Sequence, residues 1–192
     1  MEILFVEEFK RKAIHLGALS IPIGYYFLSK RTALLILIPI VLITLAGDII
    51  RLKELPGSRL IKRIFGAMLR DHENSDLSGA SYILSGATLT IAMFSKPVAL
   101  AALGFIILGD IAAALVGRRY GRIKIGDKTL EGSLTFFGVS LCVALLVPGL
   151  SFGIGIIGAL VATIIEALTL PVDDNLIVPL ISGLVMQILA AI

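Results

Sequence analysis

Apolar stretches alternate with short charged clusters along the whole chain. The uncharged runs are residues 13–29, 32–47, 77–95, 97–109, 132–165 and 175–192. A helix needs roughly 20 residues to cross a hydrocarbon core of about 30 Å. The run 132–165 is long enough for two crossings, with Pro148-Gly149 near its middle as the turn. The pattern predicts spans at 12–29, 32–50, 78–95, 97–117, 130–148, 151–170 and 175–192. Each is expected to be helical, because the two-residue alternation of a membrane barrel is missing and only a helix satisfies its own backbone in lipid. The expected fold class is all-α, a polytopic membrane bundle of about seven helices, with residues 1–192 forming a single membrane domain.

Composition agrees with this pattern. Apolar residues make up 57% of the chain, charged residues 16%, and mean hydropathy is +1.00, whereas an ordinary soluble domain is about one quarter charged. Spans of this length leave no room for a soluble domain. The one cysteine, Cys142, sits in an apolar run, which excludes a disulfide framework and a cysteine metal site. The stretch after Lys10-Arg11-Lys12 has the look of a signal-peptide core, yet it runs long and lacks a small-residue cleavage site, so it is expected to stay as the first span.

The positions of the charges add more than their number. Fourteen of the seventeen Lys and Arg fall in the N-terminal segment, the 51–77 loop and the 118–129 loop, and only Lys30, Arg31 and Lys96 lie on the other side. Basic residues favour the cytoplasm. The N-terminus is therefore expected to be cytoplasmic, in an integral protein of the cell membrane. The net charge of +3 is no sign of nucleic-acid binding, because the basic residues flank the spans. Asp48, Asp110, Glu131 and Glu166, at the ends of spans, join the same face. A pore needs polar groups near the midplane and access from both sides. Groups gathered at one face suit work on a lipid headgroup with a cytoplasmic reagent.

The densest candidate chemistry runs from Gly109-Asp110 through Gly117-Arg118, Gly121, Lys124, Lys128-Thr129 and Glu131 to Gly132-Ser133. Glycines let backbone N–H groups approach an anion while cations supply charge, the means by which polyphosphates are held. Gly121 and Gly126 have Walker A spacing, but Asp127 intervenes before Lys128-Thr129. Asp110 and Glu131 bracket the 118–129 loop as carboxylates suited to Mg²⁺ beside phosphates. The pattern points to a cytoplasmic nucleotide-binding loop; the other reading is a basic loop that holds anionic headgroups. Arg11 and Lys12 share a helical face with His15 and are candidates for phosphate contact. Asp48 and Arg51, three apart, read either as an ion pair or, for Asp48, as a metal ligand or base. The 51–77 loop contains an amphipathic segment, 60–70, suited to lying in the headgroup plane. Glu166 is a lone acid at a span's end, and Asp173-Asp174-Asn175 begins the last span as a cap or a metal-holding turn. Gly153, Gly155 and Gly158 match a dinucleotide fingerprint, but inside a membrane span they read as close helix packing.

Taken in order, Glu8, Arg11-Lys12, His15, Asp48, Arg51, Arg70, Glu73, the Gly109–Ser133 stretch, Glu166 and Asp174-Asn175 with Pro179 resemble the CTP-dependent lipid kinase family of dolichol, phytol and diacylglycerol kinases, related to the phosphatidate cytidylyltransferases. The resemblance implies CTP as phosphoryl donor, Mg²⁺, and a membrane lipid alcohol as acceptor, with Arg11, Lys12, Asp110 and Gly117 essential. It implies that Arg118, Lys128 and the loop amides hold the CTP phosphates, with Gly121, Lys124, Thr129, Gly132 and Ser133 beside them. Mg²⁺ would lie on Asp110 with Glu131 or Asp48, and Asp48 or Asp174 would orient or deprotonate the alcohol. His15, Arg51, Arg70, Glu73, Glu166 and Asn175 would support substrate or site. The expected partners are the lipid alcohol, CTP and the bilayer, with homo-oligomers allowed and nucleic acid excluded. A cytidylyltransferase making a CDP-lipid, and a small lipid carrier or scramblase, are the other readings.

Overall fold

The computed structural model describes residues 15–65, 75–168 and 170–192. Its helices are α1 (Ser20–Phe27), α2 (Lys30–Leu52), α3 (Ser58–Phe65), α4 (Gly79–Met93), α5 (Lys96–Tyr120), α6 (Leu130–Leu146), α7 (Phe152–Ala167) and α8 (Asp174–Leu189). A small hairpin of β1 (Lys124–Ile125) and β2 (Lys128–Thr129) joins α5 to α6. Helices α2 and α5 are long and apolar enough to cross a membrane; α4, α6, α7 and α8 are apolar and shorter. The all-α class expected from the hydrophobic pattern is the one observed.

The helix starts follow local chemistry. Ser29 caps α2 by accepting the Thr32 N–H, Ser78 caps α4 through Ser81, and Thr129 caps α6 through Gly132. The last helix is capped by Asp173, which accepts both the backbone and side-chain N–H of Asn175; Asn175 is the capped residue, not the cap. The turn between α6 and α7 falls at Pro148-Gly149, and Gly149 takes a φ of +79° that an L side chain rarely adopts.

Two elements differ from expectation. The first span is broken, with residues 15–17 helical and a turn at Ala18-Leu19 ahead of α1. Pro22 has no N–H to give the Ala18 carbonyl, which takes the Ile21 N–H at 3.0 Å instead. The 118–129 loop is also more ordered than a loop. Helix α5 continues to Tyr120, and Lys124 pairs with Thr129 and Ile125 with Lys128 around Gly126-Asp127, where Gly126 has a φ of +57°. Of the amphipathic segment 60–70, the part described belongs to α3, with Arg59, Lys62 and Arg63 exposed.

Helix α5 is the axis of the bundle. Its residues from Val98 to Ile107 are buried, and α6, α7 and α8 pack around it while α4 joins α8 to α2. Only 17% of the apolar window of α2 is buried, against 67% for α5. Leu35, Leu42 and Ile43 are each more than half exposed, so α2 presents apolar side chains outward.

Both ends of the bundle are defined by contacts. At one end Lys30 Nζ donates to the Phe94 carbonyl at 3.1 Å, Lys96 Nζ to the Leu28 carbonyl at 2.9 Å, and the Ser95 N–H to Gln187 Oε1 at 2.7 Å. Lys30 and Lys96 thus neutralise the carbonyl ends of the neighbouring helices. The other end gathers His15, Asp48, Asp110, the hairpin, Glu166 and Asp174.

Candidate active site

At this polar end α5, α6, α7 and the hairpin enclose a cavity of about 480 Å³, within the range of about 300–1,000 Å³ usual for small-molecule sites. Asp110, Gly117, Arg118 and Gly121 line it from α5 and its end, Lys124, Asp127, Lys128 and Thr129 from the hairpin, Gly132 and Ser133 from α6, and Glu166 from α7. Local structure places each group. Helix α5 widens to a π-helical turn over Phe105–Gly109 immediately before Asp110, which resets the face on which the carboxylate emerges. Gly109 lies against Phe136, where a Cβ would stand 2.8 Å from the ring. Gly117 and Gly132 let α5 and α6 close on each other: a Cβ on Gly117 would meet Thr129 Oγ1 at 2.7 Å, and one on Gly132 the Ala113 carbonyl at 3.1 Å.

Lys128 sits at the centre of the charges. Its ammonium lies 2.9 Å from Glu166 Oε1 and 2.7 Å from Asp174 Oδ2, and it also donates to the Glu166 carbonyl. An ammonium has three donors, and all three are engaged. Burial alone would lower the pKa of Lys128; the charge of Glu166, then the hydrogen bond and charge of Asp174, outweigh it and hold the group above its usual 10.5. Buried His15 brings Nε2 to 3.6 Å from Asp110 Oδ2, so the broken first span meets α5 at the cavity's edge. Asp174 and Lys128 also face a neighbouring cavity of about 270 Å³ with Asp76, Tyr82 and Asp173.

Asp48 is engaged elsewhere. Its Oδ1 accepts Arg51 Nε at 3.3 Å and Nη2 at 3.0 Å; its Oδ2 accepts the Ser78 N–H, the Ser78 hydroxyl and the Ser81 hydroxyl at 2.8, 2.9 and 2.6 Å. Arg51 Nη2 also donates to the Asp76 carbonyl. Both oxygens of a carboxylate that is 6% exposed are used, and the result is a tie between the end of α2 and the start of α4.

No family model matches the chain, and no solved structure matches it. Among curated proteins it is 34% identical over 183 residues to an uncharacterized protein of Rickettsia prowazekii, with 90% of each chain covered. It is 28% identical over 210 residues to the CTP-dependent diacylglycerol kinase 1 of Saccharomyces cerevisiae, covering 94% of this chain and 72% of that one. Over 78 residues, 40% of this chain and 14% of the relative, it is 40% identical to the dolichol kinase of Saccharomyces cerevisiae. These homologues support the CTP-dependent lipid kinase family for this chain.

The structure joins most of the residues singled out in sequence and separates a few. Asp110, Gly117, Arg118, Gly121, Lys124, Lys128, Thr129, Gly132, Ser133 and Glu166 share one cavity, with Asp174 reaching it through Lys128 and Asn175 one residue further along α8. Asp48 and Arg51 do not line it, and both oxygens of Asp48 accept hydrogen bonds from Arg51, Ser78 and Ser81. Glu131 is not among the lining residues: its carboxylate accepts the N–H of Arg122 at 2.9 Å and of Ile123 at 3.3 Å, at the approach to the hairpin. Arg11, Lys12, Arg70 and Glu73 lie outside the described residues. Sequence reasoning missed Asp127 as a lining residue and the contact of His15 with Asp110.

The residues present fit a magnesium ion. Among the described residues no three His, Cys, Asp or Glu side chains form a ready metal cage, but Mg²⁺ is commonly held by one or two carboxylates plus phosphates. Asp110 and Glu166 supply two. Glu166 Oε2 is buried and makes no hydrogen bond among the described residues, a group that a cation would satisfy.

Proposed function

We propose that this chain transfers the γ-phosphate of CTP to the hydroxyl of a membrane lipid alcohol at the cytoplasmic face. The observation that carries the reading is the polar cavity itself: Asp110 and Glu166, whose Oε2 makes no hydrogen bond among the described residues, line it together with Arg118 and Lys124, at the end of an otherwise apolar bundle. Family membership supplies the donor and the reaction type.

Phosphoryl transfer asks the protein for positioning and charge neutralisation more than for covalent chemistry. Arg118 and Lys124, with the loop amides near Gly121, hold the triphosphate. Lys128 keeps Glu166 and Asp174 in place, and its positive charge persists at all physiological pH. Asp110 and Glu166 would hold Mg²⁺, which when bound offsets charge on the phosphate oxygens. The acceptor oxygen forms a bond to the γ-phosphorus as the bond from that phosphorus to the bridging oxygen breaks. The hydroxyl proton passes to a carboxylate, which we assign to Asp174 because both oxygens of Asp48 are occupied. The products are a lipid monophosphate and CDP. The polar end of the bundle faces the cytoplasm in this reading, because it carries the basic loops, and the first span and the six apolar helices α2 and α4–α8 make the seven crossings.

The test is a reaction of the purified protein in vesicles with CTP, Mg²⁺ and a panel of polyprenols, phytol, geranylgeraniol and diacylglycerol. Formation of a lipid monophosphate and CDP, abolished by a chelator, is the expected result. A CDP-lipid with pyrophosphate would show a cytidylyltransferase, and lipid movement without nucleotide a carrier; either outcome overturns the proposal.

A further inference from the structure

Away from the polar cavity, α1, α2 and α4 border an apolar groove of about 390 Å³. Gly17, just before the turn at Ala18-Leu19, and Gly24 of α1 both line it, and a Cβ built on either meets nothing within 4 Å. These glycines are therefore not there to let described helices approach; they leave a slot open. Leu37 of α2 and Leu84 of α4 form its walls, and Ala80 of α4 keeps its polar end wide. Tyr25 also lines the slot, 1% exposed, with an Oη that makes no hydrogen bond among the described residues. Gly17 of the groove lies two residues along the chain from His15, whose Nε2 is 3.6 Å from Asp110 of the polar cavity.

We propose that this groove holds one unsaturated hydrocarbon chain of the lipid alcohol, with the hydroxyl end at His15 and Asp110. The inference rests on the kinase reading for the identity of the lipid and on the groove for its placement. The eight residues of α1 rise about 12 Å, less than half of a hydrocarbon core of about 30 Å, so the slot takes the part of the chain nearest the hydroxyl and leaves the remainder to the bilayer. One chain is assigned because the groove, at about 390 Å³, lies at the small end of the range of about 300–1,000 Å³ usual for ligand sites. Unsaturation follows from Tyr25: a buried O–H without an acceptor is costly, a saturated chain offers none, and the π electrons of a double bond accept weakly.

The experiment uses the full chain in phosphatidylcholine vesicles and a single-chain alcohol with a diazirine in mid-chain, photolysed without CTP. Label is expected on peptides carrying residues 17–28 and 80–84, displaced by excess unlabelled unsaturated long-chain alcohol, not displaced by more phosphatidylcholine, and reduced about tenfold in Gly24→Phe, the equivalent of ~1.4 kcal/mol. CTP binding of Gly24→Phe is expected within about twofold of the parent, which shows that the variant is folded; Gly17→Leu is the second variant should Gly24→Phe fail to fold. Label elsewhere, equal displacement by phosphatidylcholine, or undiminished label in a folded groove variant overturns the proposal. Tyr25→Phe is expected to erase the preference for an unsaturated over a saturated competitor, and a preference that survives removes Tyr25 from the assignment. Because labelling needs no turnover, a protein that takes the label but phosphorylates no alcohol loses the kinase reading and keeps the groove, whereas one that phosphorylates lipid with label elsewhere loses only the groove.

Discussion

Asp48 and Lys128 are both ionised side chains at the polar end, and their surroundings give them opposite expected phenotypes. Asp48 spends both oxygens on Arg51, Ser78 and Ser81. Asp48→Ala leaves the buried Arg51 guanidinium without its carboxylate and is expected to cost about 3–5 kcal/mol of stability, read as a lower melting temperature in detergent with CTP binding retained in the protein that stays folded. A loss of nucleotide binding at unchanged stability would return Asp48 to the site. Lys128→Met leaves Glu166 and Asp174 without their shared cation; activity is expected to fall at least about 100-fold, ~2.7 kcal/mol in barrier height, with the fold kept. The pH dependence of Lys128 has a definite sign. Its pKa is raised in the folded state, so the stability from its ion pairs is fully present below the unfolded value near 10.5 and is lost as pH rises through the higher folded value. Thermal melts from neutral pH up to 10 should show no loss from this group. The Asp48–Arg51 pair was legible in the sequence because its members are three residues apart on a helix. The serines that complete it lie 30 and 33 residues downstream, and only the fold shows that they exhaust the carboxylate.

Among the elements, glycine positions separate helix crossings from open surface. A Cβ on Gly86 of α4 would run into the backbone carbonyl of Asn175 on α8, while one on Gly138 of α6 meets nothing. Gly86→Ala is expected to destabilise by about 1–3 kcal/mol through overpacking, and Gly138→Ala to be neutral or to stabilise by about 0.5–1 kcal/mol through helix propensity. Equal melting temperatures for the two variants would refute this packing of α4 on α8. Helix boundaries were readable from serine and threonine caps and from Pro148-Gly149. The π-helical turn before Asp110 was not, because nothing in Phe-Ile-Ile-Leu-Gly marks a register shift. The hairpin had its signal in Gly126-Asp127, overshadowed by the reading of the same residues as a phosphate loop. The candidate site was legible where it is local: Asp110, Arg118 and Lys128 fall within one stretch. Glu166 and Asp174 join Lys128 from 38 and 46 residues away, and only tertiary structure shows that contact.

The whole molecule has one end rich in ionisable groups and another where Lys30 and Lys96 cap helix carbonyls. With Cys142 replaced by Ser, cysteines introduced as Lys124→Cys and Ser95→Cys are expected to react with a membrane-impermeant maleimide from opposite sides, Lys124→Cys from the cytoplasm. Labelling of both from the same side would contradict the proposed topology. The arrangement makes chemical sense because a soluble nucleotide and a membrane-bound hydroxyl can meet only at an interface: the cavity around Asp110 opens at the polar end, and the groove along α1 leads into the apolar part of the bundle. Phosphoryl transfer and nucleotidyl transfer would use the same cavity and differ in which phosphorus is attacked. The most direct measurement is therefore a paired assay with CTP labelled at the γ-phosphate or at the α-phosphate, in vesicles containing the lipid alcohol. Label reaching the lipid from the γ position alone, and lost in Asp110→Asn, is the predicted result; label reaching the lipid from the α position, or from neither, would contradict it.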